Sequence, residues 1–172
     1  KKGLSTELVM EAIRGAESKG AHVKLYDLND PEVRGCQGCF YCRTHEACAT
    51  KDYLAPMLDD IKNSNGIILG SPIYFGQPTG QTMQWLNRMY PAVGTDGGPR
   101  YPGKKIITIF AQASENQALT QSSIDTFNNY FTKAFGWTIE DSILCTGTGV
   151  PEFKPSEALL KRAFDDGVAL VK

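Results

Sequence analysis

The sequence predicts an α/β fold in which a parallel β-sheet is covered by helices on both faces. Segments with helical spacing of apolar residues alternate with short apolar runs along the chain. The apolar run that opens residues 66–76 has no period-2 alternation, as expected for a strand buried on both faces. It ends in a serine, two aromatics and a glycine. Open α/β sheets form ligand sites where a buried strand ends in this way.

The composition indicates a single globular unit. A chain of 172 residues with 41% hydrophobic and 22% charged residues can bury one core, so we expect one domain over residues 1–172. The net charge of -1 and the scattered basic residues give no electrostatic support for binding nucleic acid. No apolar run approaches the length of a membrane span, and the start has no signal-peptide pattern, so we expect no membrane partner.

The first two predicted elements are a helix and a strand. An amphipathic helix is expected over residues 5–19, with Ser5 as its N-cap and Gly20 as its C-terminal stop. Its apolar face consists of Leu8, Val9, Ala12, Ile13 and Ala16. A strand is expected over residues 22–28, where apolar residues alternate weakly before a turn.

The middle of the chain contains two further helices around the buried strand. A helix is predicted over residues 53–62, with Asp52 as its cap. The strand and loop of residues 66–76 follow, and then a helix over residues 79–90. Residues 91–103 are rich in glycine and proline and are predicted to be irregular.

The remaining elements repeat the alternation. A strand over residues 105–111, a helix over 120–135, a short strand over 142–145 and a helix over 156–171 are predicted. Strict alternation implies right-handed crossovers and a parallel sheet. Folds of this kind begin with a strand, whereas this sequence opens on a helix, so we expect a first strand to precede the first residue.

Four of the five cysteines are crowded into one short segment, at Cys36, Cys39, Cys42 and Cys48. The odd count and the dense spacing argue against a disulfide framework and favour a reducing cytoplasm. Thiolates in this arrangement suit an iron–sulfur cluster. A loop of metal-free thiols is an equal alternative, and zinc is a weaker one. Cys145 lies in a predicted strand, where a small core residue is expected.

Two further stretches suggest a ligand. Gly3, Ser5 and Thr6 lead into a helix, whose N-terminus suits a phosphate group, although most such starts are only caps. Tyr74 and Phe75 offer flat apolar surface after the buried strand, and ordinary packing under a loop is the alternative interpretation.

Together these motifs resemble a known family. The start Lys2-Gly3-Leu4-Ser5-Thr6, the cysteine spacing, Lys51-Asp52 before a helix and residues 70–76 occur in the order they have in flavodoxin-like NAD(P)H-dependent FMN reductases. The cysteine spacing is similar to that of the iron–sulfur flavoprotein branch. The resemblance implies a flavodoxin-like three-layer sandwich with a parallel five-stranded sheet in the order 2-1-3-4-5, whose first strand is absent from this sequence.

The resemblance also implies a set of binding residues and no catalytic side chain. The FMN phosphate would be held by Lys2, Gly3, Ser5 and Thr6. The flavin ring and ribityl chain would be carried by Ser71, Pro72, Ile73, Tyr74, Phe75 and Gly76. The ring would be flanked by Ala111, Gln112, Ala113 and Ser114. A 4Fe-4S cluster would be held by Cys36, Cys39, Cys42 and Cys48.

The implied function is that of an FMN-dependent oxidoreductase in the cytoplasm. Electrons would pass from NAD(P)H or a reduced protein through FMN to a quinone-like small acceptor or a ferredoxin-like redox partner. A homodimer or homotetramer is implied, with Trp85, Tyr90 and residues 91–103 as candidates for the subunit contact. The alternatives are a non-enzymatic flavodoxin-type electron carrier and a cysteine-based metal-binding module without flavin.

Overall fold

The computed structural model describes residues 3–171, in which helices and strands alternate along most of the chain. The α-helices are α1 (Leu4–Glu17), α2 (Tyr41–Thr44), α3 (Ala55–Asn63), α4 (Gly80–Arg88), α5 (Gln121–Lys133) and α6 (Glu157–Leu170). The strands are β1 (Gly66–Tyr74), β2 (Gln77–Pro78), β3 (Lys105–Ala111) and β4 (Thr138–Cys145). Two short 3₁₀ turns cover Tyr90–Ala92 and Gln117–Leu119.

The sheet has the strand order β2-β1-β3-β4. The two pairs β1–β3 and β3–β4 are parallel, whereas β2 adds a short antiparallel hairpin arm to the end of β1. Successive residues of β3 point to opposite faces: Ile106 and Phe110 join one core cluster, and Ile107 and Ile109 join the other. The prediction of a mostly parallel sheet between two helical layers is confirmed.

On one face of the sheet, α1 and α6 cross in contact through glycines. A Cβ atom on Gly167 would lie 1.9 Å from the carbonyl oxygen of Ala12, and one on Gly15 would lie 2.0 Å from that of Phe164. The absence of both side chains therefore sets how closely the two helices approach. This contact presses α1 onto β1 and β3, with Leu8 and Ala12 fully buried.

The other face is covered by α3, α4 and α5 and is rich in aromatic residues. Phe127 meets Phe110 and Phe131 edge-to-face, and Phe131 stacks on Trp137 with ring centroids 5.9 Å apart. Trp85 of α4 packs beside Phe131 and is only 2% exposed. The expectation that Trp85 contacts another subunit is therefore wrong, because its ring is already buried in the core of its own chain.

The predicted strand over residues 22–28 is not formed. Within residues 3–171 this stretch joins no strand ladder. Its side chains are anchored to α3, since Lys24 and Tyr26 both bind the carboxylate of Asp60. In the described part of the chain, β1 has only the two residues of β2 on its outer edge, so residues 22–28 do not pair with it as a strand. The predicted five-strand order is therefore not reached in residues 3–171.

The predicted helices differ from the observed ones by one or two residues at each end, and β4 begins at Thr138, four residues before its predicted start. The N-cap of α1 is Gly3, whereas Ser5 lies inside the helix, because the carbonyl of Gly3 already accepts the first helical hydrogen bond from Glu7. Ser156 caps α6 as predicted, accepting from the amide of Leu159. Within residues 3–171, no helix combines the length and apolar character needed to cross a membrane.

A pair of carboxylates links β4 to α6. Arg162 donates two hydrogen bonds of 2.7 Å to Asp141, and Asp166 lies beside that carboxylate. Among residues 3–171, Asp166 Oδ2 is buried and has no donor. Burial and the neighbouring Asp141 raise the pKa of Asp166 from its ordinary value of 3.8 to about 7. The protonated form can donate to Asp141, which explains why the pair is tolerated.

This pair predicts a pH dependence of stability. Since the folded pKa of Asp166 exceeds its unfolded value, the folded state binds more protons between about pH 4 and 7. Stability should fall as pH rises through this window, by at most about 1.4 kcal/mol per pH unit for one proton. Urea unfolding at several pH values should show this slope, and Asp166→Asn should flatten it. The exposed Asp165→Asn control should retain it, and equal slopes in wild type and Asp166→Asn would contradict the assignment.

Candidate functional site

The carboxyl ends of the three parallel strands lie side by side at one edge of the sheet. Pro72 of β1 pairs with Ala111 of β3, and Ala111 pairs with Cys145 of β4. The start of α1 lies at the same edge. A Cβ atom on Gly70 would lie 2.4 Å from Val9 Cγ2 and 3.5 Å from the backbone oxygen of Ser5, so the first two turns of α1 rest directly on the middle of β1.

The first turn of α1 presents its backbone amides without a capping side chain. The N-cap residue is Gly3, which has extended backbone angles and no side chain of its own to accept a hydrogen bond from the first-turn amides. Of the predicted phosphate residues, Thr6 is exposed and Ser5 is buried. Lys2 lies outside the described residues. Free amides and the positive end of the helix dipole suit an anionic group.

The end of β1 is a hairpin and not the predicted loop. Ser71, Pro72, Ile73 and Tyr74 belong to the strand, which continues through Tyr74. Phe75 and Gly76 form the turn with φ of 51° and 78°. Two positive φ values in a two-residue turn define a type I′ hairpin. The prediction of an open loop from Ser71 onward is wrong, because Tyr74 and Gln77 pair across this turn.

The side chains of this hairpin divide into structural and exposed groups. The Ser71 hydroxyl accepts hydrogen bonds from the Thr79 amide and from Thr82 Oγ1, which ties β1 to the start of α4. Ile73 is buried in the core. Tyr74 is 64% exposed and Phe75 is fully exposed. The two aromatic rings are therefore available to a ligand or to another chain.

The loop after β3 is held rigidly by one side chain. Gln112 is 3% exposed, and its Oε1 accepts from Thr120 Oγ1 while its Nε2 donates to the carbonyls of Ser114 and Asn116. Its backbone amide donates to Cys145. The small side chain of Ala113 remains exposed at the surface. Gln112 thus shapes the loop, and the open surface beside the strand ends is left to small residues.

The four clustered cysteines line one cleft. Cys36 and Cys39 are exposed, Cys42 and Cys48 are half-buried, and all four border a cavity of about 190 Å³. Gly38 and Phe40, both with positive φ, turn the backbone around this cleft before α2. Burial, with Cys48 and Cys36 nearby, raises the pKa of the Cys42 thiol. The backbone therefore brings together the thiols that the spacing predicted as a set.

A buried ion pair fastens this segment to α4. Arg88 Nη1 lies 2.6 Å and Nη2 2.9 Å from the two oxygens of Asp52, and the two side chains are 0% and 2% exposed. Arg88 also donates to the carbonyls of Arg34 and Thr50. Burial opposes ionisation of Asp52, but hydrogen bonds from Arg88 and the Arg34 amide hold its pKa below the usual value. Both ends of the cysteine segment are thereby fixed.

A second arginine supports the inner turn of the segment. Arg100 Nη1 donates to the carbonyls of Cys42 and Pro91 at 2.9 and 3.0 Å. His45 stacks on Tyr41 with ring centroids 3.8 Å apart. His45 Nδ1 lies 2.9 Å from Thr44 Oγ1, and His45 does not border the cleft. His45 therefore packs on Tyr41 and α2 beside the cysteine segment.

The two supporting arginines were not predicted from the sequence. Asp52 was predicted only as a helix cap, and no role was predicted for Arg88 or Arg100. Arg88 lies three residues after Trp85, on the buried face of α4. An arginine at a buried helical position needs a carboxylate partner. The position of Arg88 on the same helix face as Trp85 is therefore the sequence signal that could have revealed the ion pair.

The spacing of the donor side chains bears on which metal group the cleft could hold. Across residues 3–171, no three histidine, cysteine, aspartate or glutamate side chains come close enough to hold one metal ion. A four-iron cluster takes one thiolate on each iron and so spreads its ligands more widely. Within the described residues, Arg88 Nε is buried in the wall of the same cleft and has no hydrogen-bond acceptor. A sulfur-rich group in the cleft would supply such an acceptor.

Comparison with known proteins is consistent with this arrangement. The family model for NADPH-dependent FMN reductases matches residues 1–145. The chain belongs to this family. An iron-sulfur flavoprotein of Methanocaldococcus jannaschii is 35% identical over 89 residues, which are 52% of this chain and 46% of that protein. One from Archaeoglobus fulgidus is 29% identical over 93 residues, 54% of this chain and 48% of that protein. These matches thus span about half the length of the curated relatives.

Solved structures of similar fold cover nearly the whole chain. An NAD(P)H:quinone oxidoreductase from Methanothermobacter marburgensis superposes with a TM-score of 0.73 at 15% identity, covering 99% of this chain and 90% of that one. An FMN-dependent NADH-azoreductase from Bacillus anthracis, solved with FMN, gives 0.71 at 12% identity and covers 99% and 92%. At these identities the likeness establishes the flavodoxin-like fold.

Proposed function

We propose that the protein is an FMN-dependent oxidoreductase that passes electrons from NAD(P)H to a quinone-like acceptor or a redox partner. The observation that carries this proposal is the meeting of three separate segments at one sheet edge. The uncapped start of α1, the end of β1 and the loop after β3 all lie there. In a chain of the FMN reductase family, such an edge has the elements that a flavin nucleotide requires.

We assign the parts of FMN to these segments by their chemistry. The amides at the start of α1 and the Thr6 hydroxyl would bind the phosphate, with Gly3 and Ser5 beside them, and Lys2 stays a prediction from the sequence. The exposed Tyr74 and Phe75 would cover the ring, and the hairpin backbone would face its polar edge. Residues 111–114 would flank the opposite side of the flavin ring, where their small side chains leave space for it. Hydride transfer to a flavin needs no side-chain acid or base. The role of the chain would be to bind the flavin, to orient its ring and to exclude water from it.

We further propose that Cys36, Cys39, Cys42 and Cys48 hold a 4Fe-4S cluster. Such a cluster carries single electrons when bound, which suits delivery to a redox partner such as a ferredoxin-like protein. Helix α4 runs from Thr79, beside the hairpin, to Arg88, beside the cysteine cleft. At about 1.5 Å per residue its nine residues span only about 13 Å, so the two sites lie near each other in this chain.

The assembly and cellular setting are part of the proposal. The fully exposed Phe75 and the half-exposed Tyr90 are suitable for contact with a second copy in a homodimer or homotetramer. Four closely spaced, accessible thiols would be kept reduced in the cytoplasm. We propose that residues 1–172 act as one FMN-binding unit.

Cysteine variants separate the two cofactor sites. Cys39→Ser removes an exposed thiol of the cleft and should abolish most iron binding while FMN remains bound. Cys145→Ala removes the fifth cysteine, which is buried in the core, and should leave both iron and FMN in place. Iron, sulfide and FMN are measured on anaerobically purified protein. Full iron content in Cys39→Ser would contradict the cluster assignment.

The enzymatic part has its own test. Anaerobic oxidation of NADPH and NADH with benzoquinone as acceptor should show turnover by the wild-type protein, and Cys39→Ser should retain it, because the flavin alone accepts hydride. FMN-loaded protein without turnover would identify an electron carrier instead of an enzyme.

A further inference from the structure

The side chain of Arg88 has one polar group that the folded chain leaves without a partner. Its two terminal nitrogens are shared among Asp52 and the carbonyls of Arg34 and Thr50. Its Nε is buried and has no acceptor within residues 3–171. A buried donor without an acceptor costs about 1–3 kcal/mol, and the Cys48 thiol beside Arg88 is a group of the chain that could relieve that cost.

The position of Arg88 indicates where that acceptor would lie. Arg88 is part of the wall of the cysteine cleft, together with Cys48. Burial acts to lower the pKa of Arg88, but hydrogen bonds and charge interactions with Asp52 and the adjacent Cys48 outweigh burial. The pKa of Arg88 is therefore raised above its ordinary value. The guanidinium is held in place by Asp52, so its orientation toward the cleft is fixed by the fold.

We propose that Arg88 Nε–H donates a hydrogen bond to the Cys48 sulfur when Cys48 is a cluster ligand, and thereby raises the cluster's reduction potential. This inference rests on the proposed function. Reduction adds one electron, supplied in the test by dithionite, and neither breaks a bond nor moves a proton. The added negative charge is shared by the ligand sulfurs, so a donor aimed at one of them stabilises the reduced form more than the oxidised form. Arg88 would act on the cluster through the Cys48 ligand, as a positioning residue.

Arg100 provides a matched comparison within the same segment. It also holds the cysteine segment, but its donors are directed at the carbonyls of Cys42 and Pro91, and it does not border the cleft. A change at Arg100 therefore tests the effect of loosening the backbone without removing a donor to sulfur. The comparison of Arg88 with Arg100 separates tuning of the cluster from support of the loop.

The test is a dithionite titration of the anaerobically purified protein. Arg88→Lys keeps a cation opposite Asp52 but lacks the Nε–H group, and should shift the reduction equilibrium about tenfold toward the oxidised form, which is about 59 mV for one electron. Arg100→Lys should keep the wild-type potential. An unchanged potential in iron-loaded Arg88→Lys would overturn this inference alone. Wild-type protein without iron and sulfide would overturn the cluster proposal and this inference with it.

A second measurement does not depend on how the variants fold. Wild-type protein labelled with ¹⁵N-arginine and reduced with dithionite should show, by pulsed electron paramagnetic resonance, one arginine nitrogen coupled to the cluster. The same signal should persist in Arg100→Lys. Its absence from the labelled wild-type protein would overturn the hydrogen bond.

Discussion

Replacing Arg88 by methionine should lower the free energy of unfolding by about 3–5 kcal/mol, because it leaves the buried carboxylate of Asp52 without its partner. Asp52 would keep only the amides of Arg34 and Leu54 as donors. The cysteine segment would lose its anchor on α4 at the same time. We therefore expect the variant to unfold at lower urea concentration and to bind little iron.

Urea unfolding followed by circular dichroism measures this loss. Arg14→Met is the matched control, since Arg14 also pairs with a carboxylate, that of Glu11, but its side chain is 65% exposed. Screened surface pairs contribute little, so this control should unfold close to wild type. Equal midpoints for Arg88→Met and Arg14→Met would show that the buried pair does not hold the segment.

The second large effect is expected at the crossing of α1 and α6. Gly167→Ala would place a methyl group 1.9 Å from the carbonyl of Ala12, so the helices must separate. Overpacking of this kind typically costs about 1–3 kcal/mol. Because α1 also rests on Gly70 of β1, its movement should displace the amides proposed to bind the FMN phosphate. We expect both lower stability and weaker FMN binding.

Gly80→Ala is the control for this substitution. Gly80 opens α4, and a Cβ atom there meets nothing within 4 Å. Thermal unfolding and FMN titration should leave this variant near wild type. If Gly167→Ala matched wild type in both measurements, the glycine contact would not be what positions α1.

The elements best predicted from sequence are those whose signals are local. The strand over residues 105–111 is observed at the predicted bounds, because a run of apolar β-branched residues buried on both faces admits few alternatives. The stretch over residues 22–28 has a strand pattern but forms no ladder, since a strand depends on a neighbour that its own sequence does not describe. At residues 71–76, two aromatics and a glycine suggested an open loop, whereas strand pairing across Phe75 and Gly76 closes a hairpin.

The site was predictable to the extent that its residues are close in sequence. The cysteine spacing predicted a shared site, and the four thiols line one cleft. The residues that hold this cleft were not predictable in the same way, because Asp52 and Arg88 are 36 positions apart and a single arginine in a helix usually faces solvent. Long-range ion pairs emerge only when the fold brings the elements together.

The most direct test of the central claim is the cofactor content of protein purified without oxygen. We predict a flavin absorption band together with about four irons and four sulfides for each chain, as a 4Fe-4S cluster requires. A flavin band without iron would remove the cluster and keep the FMN oxidoreductase. Protein that contains neither flavin nor iron, and takes up neither FMN nor iron with sulfide on reconstitution, would contradict the account.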